Sequence, residues 1–184
     1  MEAAELAAVA FGFAYILLAI RERRECWIAG GIGTGIYAVV FFESGLPMQA
    51  ALQLLYVALS VYGWLAWRPV PGGVPPSRSW PARRHLLASA AVVLATAVSA
   101  PLAARYAWAE APVADSLGTW ASVFATWLLA RRVIESWLWW IAIDAGLAAL
   151  FARQDLWPTA ALYLAYAALA VAGWRSWRAR RAAA

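Results

Sequence analysis

The chain has 184 residues, 65% of them hydrophobic and 14% charged, with a formal net charge of +5. A soluble domain is nearer about one quarter charged, so most of this chain belongs in lipid. All 15 basic residues are Arg. Without Lys there is neither a Schiff-base pigment nor the phosphate-reaching residue of a Walker A loop, and one His (His85) and one Cys (Cys26) exclude a His/Cys zinc site and an intrachain disulfide.

A helix that crosses the hydrocarbon needs about 20 mostly apolar residues. Seven such runs follow one another: Ala3–Ile20, Cys26–Phe42, Pro47–Trp67, His85–Tyr106, Pro112–Ala130, Glu135–Phe151 and Leu156–Trp174. No basic stretch precedes the first, so no cleaved signal peptide is expected. The segment Arg68–Arg84, RPVPGGVPPSRSWPARR, is too rich in Pro and Gly for a helix and divides the chain. The predicted organisation is an all-α membrane domain with a first three-helix repeat (1–67), a cytoplasmic loop (68–84), a linking helix (85–107), a second three-helix repeat (112–174) and a basic cytoplasmic tail (175–184).

The arginines set the orientation. Arg21, Arg23 and Arg24 follow the first run; Arg68, Arg78, Arg83 and Arg84 follow the third; Arg131 and Arg132 follow the fifth; Arg175, Arg178, Arg180 and Arg181 follow the seventh. With seven spans these fall on one side, and only Arg105 and Arg153 on the other. The positive-inside rule then predicts an outside N-terminus and a cytoplasmic C-terminus. The same asymmetry accounts for the high positive charge without a nucleic-acid partner.

Sliding the chain by about 110 residues aligns Arg21–Arg68 with Arg131–Arg178 without a gap. Glu25 and Trp27 fall on Glu135 and Trp137, Tyr56 on Tyr166, Gly63-Trp64 on Gly173-Trp174, and Trp67-Arg68 on Trp177-Arg178. Three spans reverse the direction of a chain, so a single linking span restores it and leaves the repeats parallel. Parallel repeats about an axis along the membrane normal place a transported substrate between the halves near the midplane.

The sixth run, ESWLWWIAIDAG, carries an acid deep in an apolar stretch. At helical spacing Trp137, Trp140 and Asp144 share one face and Trp139 points away. Asp144 lies about 13 Å along the helix from Glu135, where an acid costs on the order of 2.5–3.5 kcal/mol and faces the bundle interior or a wet cavity. The bland alternative is an acid satisfied against a neighbouring helix. In the third run Gln49, Gln53, Tyr56 and Ser60 form a polar stripe, matched in the seventh by Thr159, Tyr163, Tyr166 and Ala170. The fifth carries Thr119, Ser122 and Thr126. Such groups also join helices by hydrogen bonds worth about 0.6 kcal/mol on average. In the second run Gly30, Gly31, Gly33 and Gly35 are read as packing surface, with Thr34 opposite Asp144. The candidate substrate-binding residues are therefore Trp137, Trp140, Asp144, Gln53, Gln49, Tyr56, Tyr163, Thr126 and Ser122. Aromatic faces with one carboxylate suit a flat, polar or cationic aromatic ligand.

The run E-S-W-x-x-W-x-x-x-D from Glu135 to Asp144, the segment QLLYVALSVYGWLAW from Gln53 to Trp67, and the closing Gly173-Trp174 resemble the PnuC family of vitamin transporters. The resemblance covers nearly the whole chain. It implies a fold like that of the SWEET sugar transporters, assembled as a homotrimer with one pathway per protomer. It implies facilitated diffusion of nicotinamide riboside across the inner membrane, with a cytoplasmic kinase trapping the substrate. Trp137 and Trp140 would line the site, and Asp144 would stand where riboside carriers commonly have Asn. An acid there suits a positive ring, the pyridinium of nicotinamide riboside or the thiazolium of thiamine. Relatives for thiamine and riboflavin share the pattern.

A passive vitamin carrier is the expected function. The alternatives are a thiamine transporter of the same family, and a vitamin-binding subunit powered by a separate ATPase. An enzyme is not expected, because one His, one Cys, no Lys and one mid-span acid leave few catalytic pairs. No cofactor is expected; the partners are a small-molecule vitamin and the bilayer.

Overall fold

In lipid a backbone must satisfy its own polar groups, which for unbroken apolar runs of this length means helices. The computed structural model describes residues 2–45, 47–69, 77–105 and 112–183. Among these, the chain forms seven helices and no extended strand: α1 Glu2–Ile20, α2 Cys26–Glu43, α3 Pro47–Ala66, α4 Ala82–Arg105, α5 Pro112–Ala130, α6 Ser136–Arg153 and α7 Trp157–Ala182. Four of them, α1 to α4, are long and apolar enough by hydropathy alone to cross a membrane. The others are as long, but α5 and α6 carry more polar groups and α7 ends in arginines. Large apolar side chains such as Leu86, Leu94, Phe42 and Leu164 stand exposed on the outer surface, as a lipid-facing belt requires.

Two boundaries differ from the sequence expectation. The tail after Trp174 is not a separate segment, because α7 continues to Ala182. Ala and Arg are strong helix formers, and the extension is anchored: Trp177 is fully buried, and Arg180 donates to the Ile20 carbonyl at 3.1 Å. The linking helix starts at Ala82, three residues earlier than expected, and its expected end at Tyr106 and residue 107 lies outside the described residues. Of the dividing loop, residues 70–76 lie outside them too, while 77–81 is tied down. Arg78 exchanges backbone bonds with the α5–α6 turn (Arg78 N to Arg132 O and Ile134 N to Arg78 O, both 2.9 Å), Ser79 donates to Glu135, and the Trp80 amide donates to Glu135 at 3.1 Å.

The repeat is legible in the element ends. α1 and α5, and α2 and α6, start and stop 110 positions apart, and α3 and α7 start 110 apart. The turns obey the same offset. Glu22 (φ 57°) matches Arg132 (φ 58°), and Gly45 (φ 74°) matches Asp155 (φ 58°). Within each half the first helix packs on the second and the second on the third. Across the halves α1 meets α7, and its counterpart α5 meets α3. The two cross-contacts exchange under the offset, as a pseudo-twofold axis between parallel halves demands. α4 packs on α5 and so belongs with the second half.

The driest part of the molecule is a plug at the arginine-rich end. Trp27, Trp67, Trp137 and Trp177 are each at most 3% exposed. They form a chain of edge-on rings, Trp27–Trp67 at 5.5 Å and Trp137–Trp177 at 5.7 Å, joined where Trp67 meets Trp177 at 5.9 Å. Each half hands a hydrogen bond to the other: Trp67 Nε1 donates to the Ala130 carbonyl and Trp177 Nε1 to the Ala19 carbonyl, both at 3.0 Å. Trp27 lies on Gly63, and Trp137 on Gly173, where a Cβ would come within 2.6 Å of the ring. Only Gly admits the ring so closely. Between the halves sits Arg132, ion-paired to Glu22, with its guanidinium 4.4 Å from the Trp67 ring. Burial pulls the Arg132 guanidinium below its ordinary value and the Glu22 carboxylate opposes that shift.

The glycine seat can be tested directly. Gly173→Ala forces Trp137 off its seat and costs about 1–3 kcal/mol, read as a lower unfolding midpoint in detergent. An unchanged midpoint would mean that the ring has room to spare.

Candidate functional site

Above the plug, at mid-helix height, the halves enclose a cavity of about 380 Å³. Specific small-molecule sites fall in the range of roughly 300–1,000 Å³, so it is large enough for a nucleoside-sized ligand. Its floor is the upper surface of the plug, Leu129, Trp137 and Ala170. Its walls come from six helices. Gly12, Tyr15 and Ile16 of α1 face Ser122 and Thr126 of α5; Gly30, Gly33, Thr34 and Tyr37 of α2 face Trp140, Ile143, Asp144 and Leu147 of α6; Gln53, Tyr56 and Ser60 of α3 face Tyr163, Tyr166 and Ala170 of α7. Nine pairs separated by 110 positions, from Gly12/Ser122 to Ser60/Ala170, supply eighteen of the twenty-two lining residues. The cavity therefore straddles the pseudo-twofold axis.

The lining is shaped by large–small exchange across that axis. Where α6 presents Trp140, α2 presents Gly30, and where α6 presents Asp144, α2 presents Thr34. Thr34 spends its hydroxyl on its own helix, donating to the Gly30 carbonyl at 2.9 Å, and Thr126 does the same to the Ser122 carbonyl at 2.8 Å. Those two hydroxyls are thus satisfied as donors and offer chiefly acceptor lone pairs to the cavity. Further from the plug the aromatic wall continues with Phe151 stacked on Tyr163 at 5.4 Å and Tyr163 edge-on to Tyr166 at 6.1 Å.

Asp144 is the one charged residue in the lining. It is 5% exposed, and no hydrogen bond or ion pair reaches its carboxylate among the described residues. No Arg or His lines the cavity. A buried carboxylate without a basic partner is costly, and a cation entering the cavity would offset that cost. The bland alternative, an acid bonded to the next helix, has no contact to support it.

Eight of the nine sequence candidates, Trp137, Trp140, Asp144, Gln53, Tyr56, Tyr163, Thr126 and Ser122, come together around this one space. Gln49 does not. It lies one turn nearer the start of α3, beyond the cavity, and is exposed. Thr119 and Thr159 likewise stand outside the lining. Trp139 turns away, as its spacing requires: its indole N–H donates to His85 at 3.3 Å and its ring meets Phe124 edge-on at 4.9 Å. The second span, read mainly as packing surface, also forms one wall of the cavity through Gly30, Gly33, Thr34 and Tyr37. Tyr15 and Tyr37 were not among the candidates, because lone tyrosines in otherwise apolar runs make no stripe. The offset could have found Tyr37, which occupies the position equivalent to Leu147, one turn beyond Asp144 on the same face.

Known proteins share this architecture. A crystal structure described as that of the vitamin B3 transporter PnuC superposes with a TM-score of 0.74, covering 97% of this chain and 81% of that one at 22% identity. The nicotinamide riboside transporter PnuC of Escherichia coli is 25% identical over 195 residues, 90% of this chain and 81% of the relative. The riboflavin/roseoflavin transporter RibM of Streptomyces davaonensis is 27% identical over 175 residues, 90% of this chain and 82% of the relative. The family model described as nicotinamide mononucleotide transporter matches residues 2–179. With that match spanning nearly the whole chain, this protein belongs to the PnuC family of membrane vitamin transporters.

Proposed function

We propose that the chain carries nicotinamide riboside across the inner membrane by facilitated diffusion, binding it in the cavity on the pseudo-twofold axis. The observation that carries this reading is the unpartnered Asp144, the cavity's single charge, set among aromatic walls. Nicotinamide riboside brings a cationic pyridinium ring and ribose hydroxyls. The carboxylate neutralises the ring, Trp140 offers it a face, and Gln53, Tyr56 and Tyr163 hold hydroxyls and the amide. Trp137 closes the site from below. The relative named for nicotinamide riboside supports the choice; the relative named for riboflavin has a ligand whose ring system is neutral, and a lone buried acid gives it no advantage.

The binding site lies between two halves related by the offset, so rocking of one half against the other exposes it alternately to either side. No energy source is needed for that exchange. Net uptake follows when the substrate is phosphorylated in the cytoplasm, because the added charge disfavours return through an acidic cavity. The N-terminus is outside and the arginine-rich end cytoplasmic, and protomers associate as a homotrimer with one pathway each. Thiamine is the second reading, favoured by the same carboxylate because its thiazolium is also a cation.

Uptake of labelled nicotinamide riboside into proteoliposomes, with unlabelled thiamine as competitor, tests the assignment. Saturable uptake of the riboside that needs no ATPase partner is expected. Thiamine flux without riboside flux would move the protein to the second reading, and flux of neither by folded protein would contradict both.

The site residues separate by depth. Asp144→Ala and Trp140→Ala each weaken riboside binding at least about tenfold, a change of about 1.4 kcal/mol, in a tryptophan-fluorescence titration. Gln53→Ala weakens it too, whereas Gln49→Ala leaves it within about twofold. Equal losses at Gln49 and Gln53 would place the ligand outside the cavity described here.

A further inference from the structure

Buried polar atoms without partners are rare in folded proteins, and here they are concentrated in one place. Among the described residues, Tyr15 Oη, Trp27 Nε1, Trp137 Nε1, Ser136 Oγ and two nitrogens of Arg132, Nε and Nη1, are buried without a hydrogen bond, and His85 Nε2 on α4 is the one such atom elsewhere. The first six belong to the plug or to the residues seated on it. Arg132 is the extreme case. It is 4% exposed, one of its nitrogens is paired with Glu22, and the rest of its fork faces the rings of Trp67 and Trp177 at 4.4 and 5.9 Å. The plug is thus dry, tightly seated and incompletely satisfied. When the plug opens, hydration of these atoms offsets part of the cost of exposing its apolar rings.

The connections between the halves converge on the same spot. Trp67 and Trp177 donate across to Ala130 and Ala19, Arg180 and Ser176 reach the Ile20 carbonyl, and both inter-repeat ion pairs among the described residues share Glu22. Glu22 and Arg132 occupy equivalent positions in the repeat, each at the left-handed residue of its turn (φ 57° and 58°). An ion pair between equivalent positions must lie on the axis itself. Rocking the halves apart at this end pulls both partners away from the axis in opposite directions, so that motion must break this pair.

We propose that the Glu22–Arg132 pair, clamped over Trp67 and Trp177, is the latch of a gate at the arginine-rich end, and that the plug beneath the cavity is that gate. This rests on the transport reading above for its purpose, but not for its test. The closed plug blocks the cavity from the arginine-rich side, and a substrate leaves that way only after the latch opens. Because the latch joins two equivalent positions, exchanging its residues rebuilds the central pair: Arg at 22 meets Glu at 132 in the same backbone setting, with Trp177 taking the place of Trp67. Arg180 also pairs with Glu22 and would repel an Arg there, so every chain compared by labelling, the wild-type reference included, carries Arg180→Ala.

The chain carries its own reporter. Cys26, its single cysteine, is fully buried in the plug beside Trp27. Its rate of modification by a small water-soluble maleimide, measured on the full chain in lipid nanodiscs where both faces are reachable, reads gate opening without any substrate. Glu22→Arg alone and Arg132→Glu alone each put like charges on the axis and raise that rate at least about tenfold, an opening shift of about 1.4 kcal/mol. The exchange E22R/R132E returns it to within about threefold of the wild type. Recovery in the exchange rules out simple misfolding as the cause of fast labelling. Single variants that label as slowly as the wild type, or an exchange that labels as fast as the singles, would overturn the latch. Failure of riboside uptake by the wild type would defeat the transport reading while leaving the labelling result intact.

Discussion

The structure depends on an exchange of hydrogen bonds across a pseudo-twofold axis: one indole from each half, Trp67 and Trp177, reaches a backbone carbonyl at the end of the other half's first helix. Apolar helices have little reason to prefer one another over lipid, so their association relies on close packing and on a few polar contacts. Here both are present at one end. Gly63 and Gly173 let Trp27 and Trp137 sink against the helices behind them, each ring then packs edge to face with Trp67 or Trp177 of its own half, and those two meet across the axis. The cavity exists because that closure stops partway. Above the plug the same helices carry Gly, Ser and Thr at positions where larger residues would have filled the space.

Pseudo-symmetry fixes where the cavity lies, and asymmetry gives it chemistry. A symmetric cavity would present each group twice, which suits few ligands. In this chain the second half supplies Trp140 and Asp144, the first supplies Gly30 and Thr34, and the third helices trade Gln53 for Tyr163. The result is a cavity whose one charge and both indoles come from the second half, while the first half contributes glycines, tyrosines and uncharged polar groups. The absence of any basic residue in the lining matters as much as the acid does, since a neighbouring arginine would satisfy Asp144 internally and leave nothing for a ligand.

Much of this was legible in the sequence. The 110-residue offset predicted the pairing of helices, and helical spacing put Trp137, Trp140 and Asp144 on one face with Trp139 turned away. Arginine placement grouped the turns that meet at the plug. What spacing could not give was depth. Gln49 and Gln53 share a stripe, yet only Gln53 reaches the cavity, because a stripe fixes direction around a helix and says nothing of where the facing helices close. Nor did composition show that the residues after Trp174 continue α7. Arginines there read as a tail until Trp177 is seen buried and Arg180 bonded to Ile20. Tyr15 was hidden for a different reason: its role comes from a packing partner, Gly30, on another helix.

On the function proposed above, the cavity's uncompensated carboxylate selects a cationic ring. The most direct test compares binding of nicotinamide riboside with that of its reduced, uncharged form, which keeps the ribose and the carboxamide, to the wild type and to Asp144→Asn. Selection by charge predicts that the wild type prefers the cation by at least about tenfold and that the substitution erases most of that preference. Equal affinity of the wild type for the two forms, or a preference that survives the substitution unchanged, would contradict it.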